Sequence, residues 1–215
     1  MFRLLIGLTL SIVTSAAVAQ TGTIEGTVKL PARESAEPKS TPQYPGKPGT
    51  SVPYPDSPIA AIVYVKGKIE GKSFAPPARH PSLSQKDAWF TPEVMAVLVG
   101  TTVDFPNLDN QYHNIFSYSK PKRFDLGRYP TGESRSVTFD QPGMVKIYCE
   151  IHAHMHAFVL VTENPYFHVT DPQGRFRIEN VPPGHYPIAV WRARGKEIEK
   201  EVDVVAGESL KLSFE

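Results

Sequence analysis

The sequence predicts an all-β protein built as two sandwiches. Three observations lead there. Short apolar or alternating runs recur between turn signals such as Asp140-Gln141-Pro142-Gly143, the spacing of an antiparallel sandwich with Greek-key connections. The 21 prolines among 215 residues are about twice average usage and work against long helices. After Asn164 a second alternation sets in: Phe176 with Ile178, then Ile198, Val202 and Val204, then Leu210, Leu212 and Phe214.

Taken in order, the chain declares its compartment first. Met1-Phe2-Arg3 is a short positive region, an apolar core follows to Val13, and Ala17-Val18-Ala19 is a small-residue cleavage site. Residues 1–19 are therefore expected to be a signal peptide cleaved before Gln20. The alternative, an uncleaved anchor, is disfavoured by the short apolar core. The mature protein is expected in a bacterial periplasm, with no membrane span. Loss of Arg3 leaves 22 Lys+Arg against 22 Asp+Glu. Near-zero net charge gives no electrostatic case for nucleic acid or an anionic membrane surface as partner.

Residues 21–30 alternate, with Ile24, Gly26, Val28 and Leu30 on one side, and are expected as a strand. Residues 31–58 hold eight prolines among Ser, Thr, Gly, Lys and Glu, the composition of an exposed, partly polyproline-like loop. The run IAAIVYVK over 59–66 is apolar almost throughout, as a strand buried on both faces would be; 67–79 is rich in turn residues. Further strands are expected over 94–99, 102–105, 115–118, 136–139, 144–149 and 157–162.

The chemistry concentrates in VKIYCEIHAHMHAFV, residues 145–159. Val145, Ile147 and Cys149 share a face of a strand, and a His-rich turn follows. Cys149 is the sole cysteine, so no internal disulfide can form. A lone thiol in an oxidising compartment is a hazard unless buried, paired between chains or bound to metal. His152, His154 and His156 favour metal. The spacing C-x2-H-x2-M delivers thiolate, imidazole and thioether from one connection. With a second imidazole, for which His113 is the candidate, this is a donor set for copper cycling between Cu(I) and Cu(II). A structural buried cysteine is the plainer reading. Zinc is the competing metal, but thioether suits it poorly and the strand-loop-strand setting is no zinc finger. A Cys-His nucleophile lacks any accompanying oxyanion-hole signature, so the protein is read as a non-enzyme. His80, His168 and His185 receive no role.

At FTPEVMAVLVGTTVDFPNLD, then HNIF, then QPGMVKIYCEIHAHM, the block over 83–161 resembles a cupredoxin of the plastocyanin and amicyanin kind. The two-residue gap between His152 and Met155 matches the short amicyanin-like loop. The resemblance implies one type-1 copper held by His113, Cys149, His152 and Met155. Asn114 would tie the two ligand-bearing segments together, and the His152 edge near Ala153 would be the exit for the electron. Function follows as one-electron transfer to a redox partner protein. His154 and His156 depart from the family pattern; they are expected outside the ligand set, the alternatives being a different ligand set or an additional weak metal site. Periplasmic copper binding or delivery is the competing function, and an adhesive role for the second sandwich a weaker one.

That second sandwich carries DPQGRFRIENVPPGHYPIAVW, which resembles carboxypeptidase regulatory-like or transthyretin-like modules. The resemblance implies no active site there. Residues 164–215 are few for an independent two-sheet domain, and G-T-I-x-G-T-V followed by A-x-V-Y-V-K-G looks like the opening of the same module. The expected organisation is a discontinuous sandwich of 20–71 and 164–215 with a copper domain of 72–163 inserted. The simpler alternative is two consecutive domains.

Overall fold

A computed structural model describes residues 20–32 and 57–215. The expected signal peptide and all but the ends of the proline-rich loop lie outside the described residues. The described residues hold no helix, and the protein is all-β as expected. In chain order the strands are β1 (Gly22–Val28), β2 (Ile62–Val65), β3 (Ser84–Lys86), β4 (Trp89–Thr91), β5 (Val94–Leu98), β6 (Thr101–Pro106), β7 (His113–Ser119), β8 (Lys122–Tyr129), β9 (Ser134–Phe139), β10 (Gly143–Tyr148), β11 (His156–Thr162), β12 (Phe167–Val169), β13 (Arg175–Val181), β14 (Gly184–Trp191), β15 (Ile198–Val204) and β16 (Ser209–Phe214).

One sandwich draws on both ends of the chain. β1 lies between β13, antiparallel, and β16, parallel. The facing sheet runs β12-β2-β14-β15. Alternate side chains of both sheets (Ile24, Val28, Val63, Phe176, Ile188 and Phe214 among them) close a single core. Gly26 is demanded by the β1–β16 approach: a Cβ there would lie 1.8 Å from the Leu212 carbonyl oxygen.

The other sandwich lies between β2 and β12 in the chain. Its larger sheet has the order β5-β11-β10-β7-β8, with β5 and β11 parallel. Opposite it, β4-β3 and β6-β9 are joined by the bridges Ser82–Asp104 and Gln85–Asn107. Phe105, Phe139, Ile115, Val145 and Ile147 are completely buried between them. Each such side chain contributes about 1.5–3 kcal/mol by leaving water. β8 was not anticipated from the sequence, because KRFDLGRY buries only Tyr129 fully and shows water most of its other positions.

The two sandwiches share a third apolar cluster, in which Val94 and Leu160 of the large sheet meet Ile62, Tyr64 and Ala189. The Phe158 and Trp191 rings lie 4.9 Å apart in it. β2 is therefore buried on both faces, which is why its sequence does not alternate. Where the chain passes between sandwiches, the fully buried Asn164 joins three backbone groups. Its Nδ2 donates to the carbonyls of Val65 (2.8 Å) and Gly67 (2.7 Å), and its Oδ1 accepts from the Tyr166 amide at 2.9 Å.

Candidate metal centre

β7 and β10 are antiparallel neighbours, so the start of one and the end of the other lie at the same end of the sheet. His113 opens β7, and Cys149 follows β10. The turn from Cys149 to Met155 then leads into β11. It is closed at its base by Cys149 N–H donating to the Met155 carbonyl at 3.4 Å, and Met155 N–H donates to the His152 carbonyl at 2.9 Å. From this loop the Cys149 and His152 side chains reach His113 at the start of β7.

The structure brings three donor atoms together. Cys149 Sγ lies 3.8 Å from His113 Nδ1 and 3.8 Å from His152 Nδ1, and the two Nδ1 atoms are 3.1 Å apart. All lie within 4.8 Å of one another. Two nitrogens with in-plane lone pairs do not face each other at that distance without a proton or a cation between them, so the arrangement suits a metal. His113 and Met155 are completely buried and Cys149 nearly so, while His152 reaches the surface in part. Met155 packs in the same core cluster as Cys149. Burial, with the neighbouring imidazoles of His113 and His154 adding to it, lowers the His152 pKa to about 4. At neutral pH its ring is uncharged, the form in which an imidazole binds a metal.

Asn114 Oδ1 accepts the Glu150 amide at 2.6 Å, tying the strand that carries His113 to the loop that carries Cys149. His154 and His156 lie outside the three-residue cluster. His154 Nε2 donates to the Ala88 carbonyl at 2.9 Å, and its ring sits 5.0 Å from that of Trp89. His156 Nδ1 donates to the His154 carbonyl at 2.9 Å, and its Nε2 is 3.3 Å from Glu93. Asp109 is the site residue that sequence reasoning missed. Its Oδ2 is 2.7 Å from His113 Nε2. The available signal was an acidic residue four positions before the histidine, which is too common to single out.

No family model matches the chain, and no curated protein matches it. Among solved structures it is similar to a purple cupredoxin from Nitrosopumilus maritimus at 26% identity, over 38% of this chain and 99% of that one, with a TM-score of 0.35. It is similar to a copper-containing nitrite reductase from Thermus scotoductus at 25% identity, over 46% of this chain and 25% of that one, with a TM-score of 0.39. A reduced amicyanin variant is similar at 19% identity, over 40% of this chain and 91% of that one, with a TM-score of 0.37. These three are two cupredoxins and a copper enzyme, and each likeness extends over less than half of this chain.

Proposed function

We propose that the protein is a copper protein of the type-1 kind that transfers one electron at a time, with His113, Cys149, His152 and Met155 as ligands. The observation that carries the reading is the convergence of Cys149 Sγ, His113 Nδ1 and His152 Nδ1 within 4.8 Å in a buried pocket. A thiolate with two imidazoles is the donor set that suits both oxidation states of copper. Bound there, copper would supply a one-electron change with no bond to substrate. The chain's own residues do the rest. The hairpin loop and β7 hold the donors in a rigid core, so little rearrangement accompanies a change of charge. Burial of His113 and Cys149 excludes water, while the partly exposed His152 offers a short route to the surface.

The remaining parts follow from the same frame. A redox partner would dock at the His152 end, where Leu108, Tyr112 and Ile151 are exposed. We read residues 72–163 as a copper domain inserted in a discontinuous sandwich of 20–71 and 164–215; the pairing of β1 with β13 and β16 supports this. Export to the periplasm rests on the leader-like residues 1–19. Electron transfer is preferred to copper delivery because His154 and His156 are engaged by Ala88, the His154 carbonyl and Glu93 and lie outside the cluster. We read the protein as a carrier, a reading that rests on the donor cluster itself.

The test is the visible spectrum of the Cu(II) protein. Intense thiolate-to-copper absorption at one copper per chain, abolished in Cys149→Ser, is the expected result. A colourless Cu(II) complex in the unaltered protein would exclude the assignment.

A further inference from the structure

Asp109 is a buried carboxylate with more partners than a loop residue needs. Oδ2 lies 2.7 Å from His113 Nε2 and accepts the Ala88 amide at 2.9 Å, while Oδ1 accepts the Asp87 amide at 2.5 Å. The residue is itself fixed at both backbone ends. Its N–H donates to Asn107 Oδ1 at 3.0 Å, and its carbonyl accepts from Thr131 Oγ1 at 2.5 Å. Asp109 is 8% exposed.

Two consequences are chemical. A carboxylate oxygen can only accept, so the proton of His113 sits on Nε2 and Nδ1 is left bare toward Cys149. The carboxylate also places a negative charge one imidazole ring away from the donor cluster, where it favours the more positive state of whatever the cluster holds.

A third consequence is mechanical. Asp87 and Ala88 form the two-residue turn between β3 and β4, and both have positive φ (55° and 58°) although neither is glycine. That conformation is unfavourable for a residue with a Cβ. The Asp109 carboxylate accepts both amides and so holds the turn in place. In this turn the Ala88 carbonyl receives Nε2 of His154, which lies in the loop between His152 and Met155. A continuous path therefore runs from His113 through Asp109 and Ala88 to His154, and so back into the loop that carries Cys149 and His152. Together with the Asn114–Glu150 bond it fastens the two ligand-bearing segments at a second point.

We propose that Asp109 is a positioning residue that fixes the tautomer and orientation of His113, lowers the reduction potential of the centre, and clamps the β3–β4 turn so that it can hold the ligand loop through His154. Its consequence for the potential rests on the copper reading; its geometry does not.

Two measurements test it. In copper-free protein, nitrogen-15 NMR of the imidazoles is expected to show His113 protonated at Nε2, with that proton exchanging slowly with water. An Nδ1–H tautomer, or a rapidly exchanging ring proton, would overturn the proposal whether or not copper binds. In copper-loaded Asp109→Asn, the ratio of Cu(I) to Cu(II) affinity is expected to rise at least tenfold, a potential about 59 mV higher, with one copper per chain and the thiolate band retained. A potential unchanged to within twofold in that ratio would remove the charge effect and refute the proposal. Should Asp109→Asn fail to fold, His154→Ala and His154→Gln decide it. Loss of Cu(I) to a chelator is expected to quicken at least tenfold in the alanine variant and to recover in the glutamine variant, whose amide can still donate to Ala88. Equal rates in the two would overturn the clamp.

Discussion

Replacing Asn164 by alanine is expected to destabilise the whole described structure while leaving the metal cluster's own contacts intact. The side chain is completely buried, and it satisfies the carbonyls of Val65 and Gly67 and the amide of Tyr166. Each hydrogen bond contributes about 1 kcal/mol net, so the loss is ~3 kcal/mol, and more if the freed groups stay dry. For a protein of this size that lowers Tm by roughly 6–12 °C. Asn164→Asp is expected to be worse near neutral pH, because a carboxylate would face two carbonyl oxygens in place of donating to them. Thermal unfolding followed by circular dichroism measures both. A Tm for Asn164→Ala within about 2 °C of the unaltered protein would show that water replaces the amide without loss, and the reasoning would fail.

Met155→Gln is expected to retain copper, alter its colour and lower the potential by ~59 mV, a tenfold change in relative affinity; spectra and potential identical to the parent would mean that Met155 only packs. The same change buries an amide in a fully buried position and should cost about 1–3 kcal/mol of stability, read by denaturant titration. In copper-free protein, His152 contributes a pH dependence of known sign. Its folded pKa is lowered from the ordinary 6.5 to about 4. Above pH 6.5 the ring is neutral in both folded and unfolded chains, and stability is unaffected by it. As pH falls through this window the unfolded chain takes up the proton first, and stability is lost until the folded form also protonates near pH 4. His152→Gln should flatten that part of the stability profile, and an unchanged slope would contradict the assignment.

What the sequence disclosed was whatever is local. Cys149, His152 and Met155 sit within seven residues, so their donor chemistry is visible in the order of the letters. His113 was reachable only through the HNIF pattern, since 36 positions separate it from Cys149. Asp109 was not reachable, because its role depends on a turn 21 and 22 residues upstream whose left-handed φ values no Asp-Ala pair advertises. Strand content followed the same rule. β1, β2 and β16 announce themselves by alternation or by unbroken apolar character, whereas the short β3, β4 and β12 are strands by virtue of their neighbours. β8 pairs with β7 across a register shift beside Gly127, a residue with φ of 67°, and its half-wet side chains give no pattern to read.

The parallel pairing of β1 and β16 also decides how the molecule answers tension. Six pairs join these strands, from Thr23–Ser209 to Val28–Phe214. A pull on the start of β1 and on the end of β16 draws the two strands past each other lengthwise, so the rungs resist together and do not unzip in turn. The force passes directly from one strand to the other, and the polypeptide between β2 and β12, which carries the donor cluster, stays slack until that ladder breaks. Stretching single molecules by these two points should therefore give one high rupture peak first, with the visible colour of a copper-loaded sample surviving any load below it.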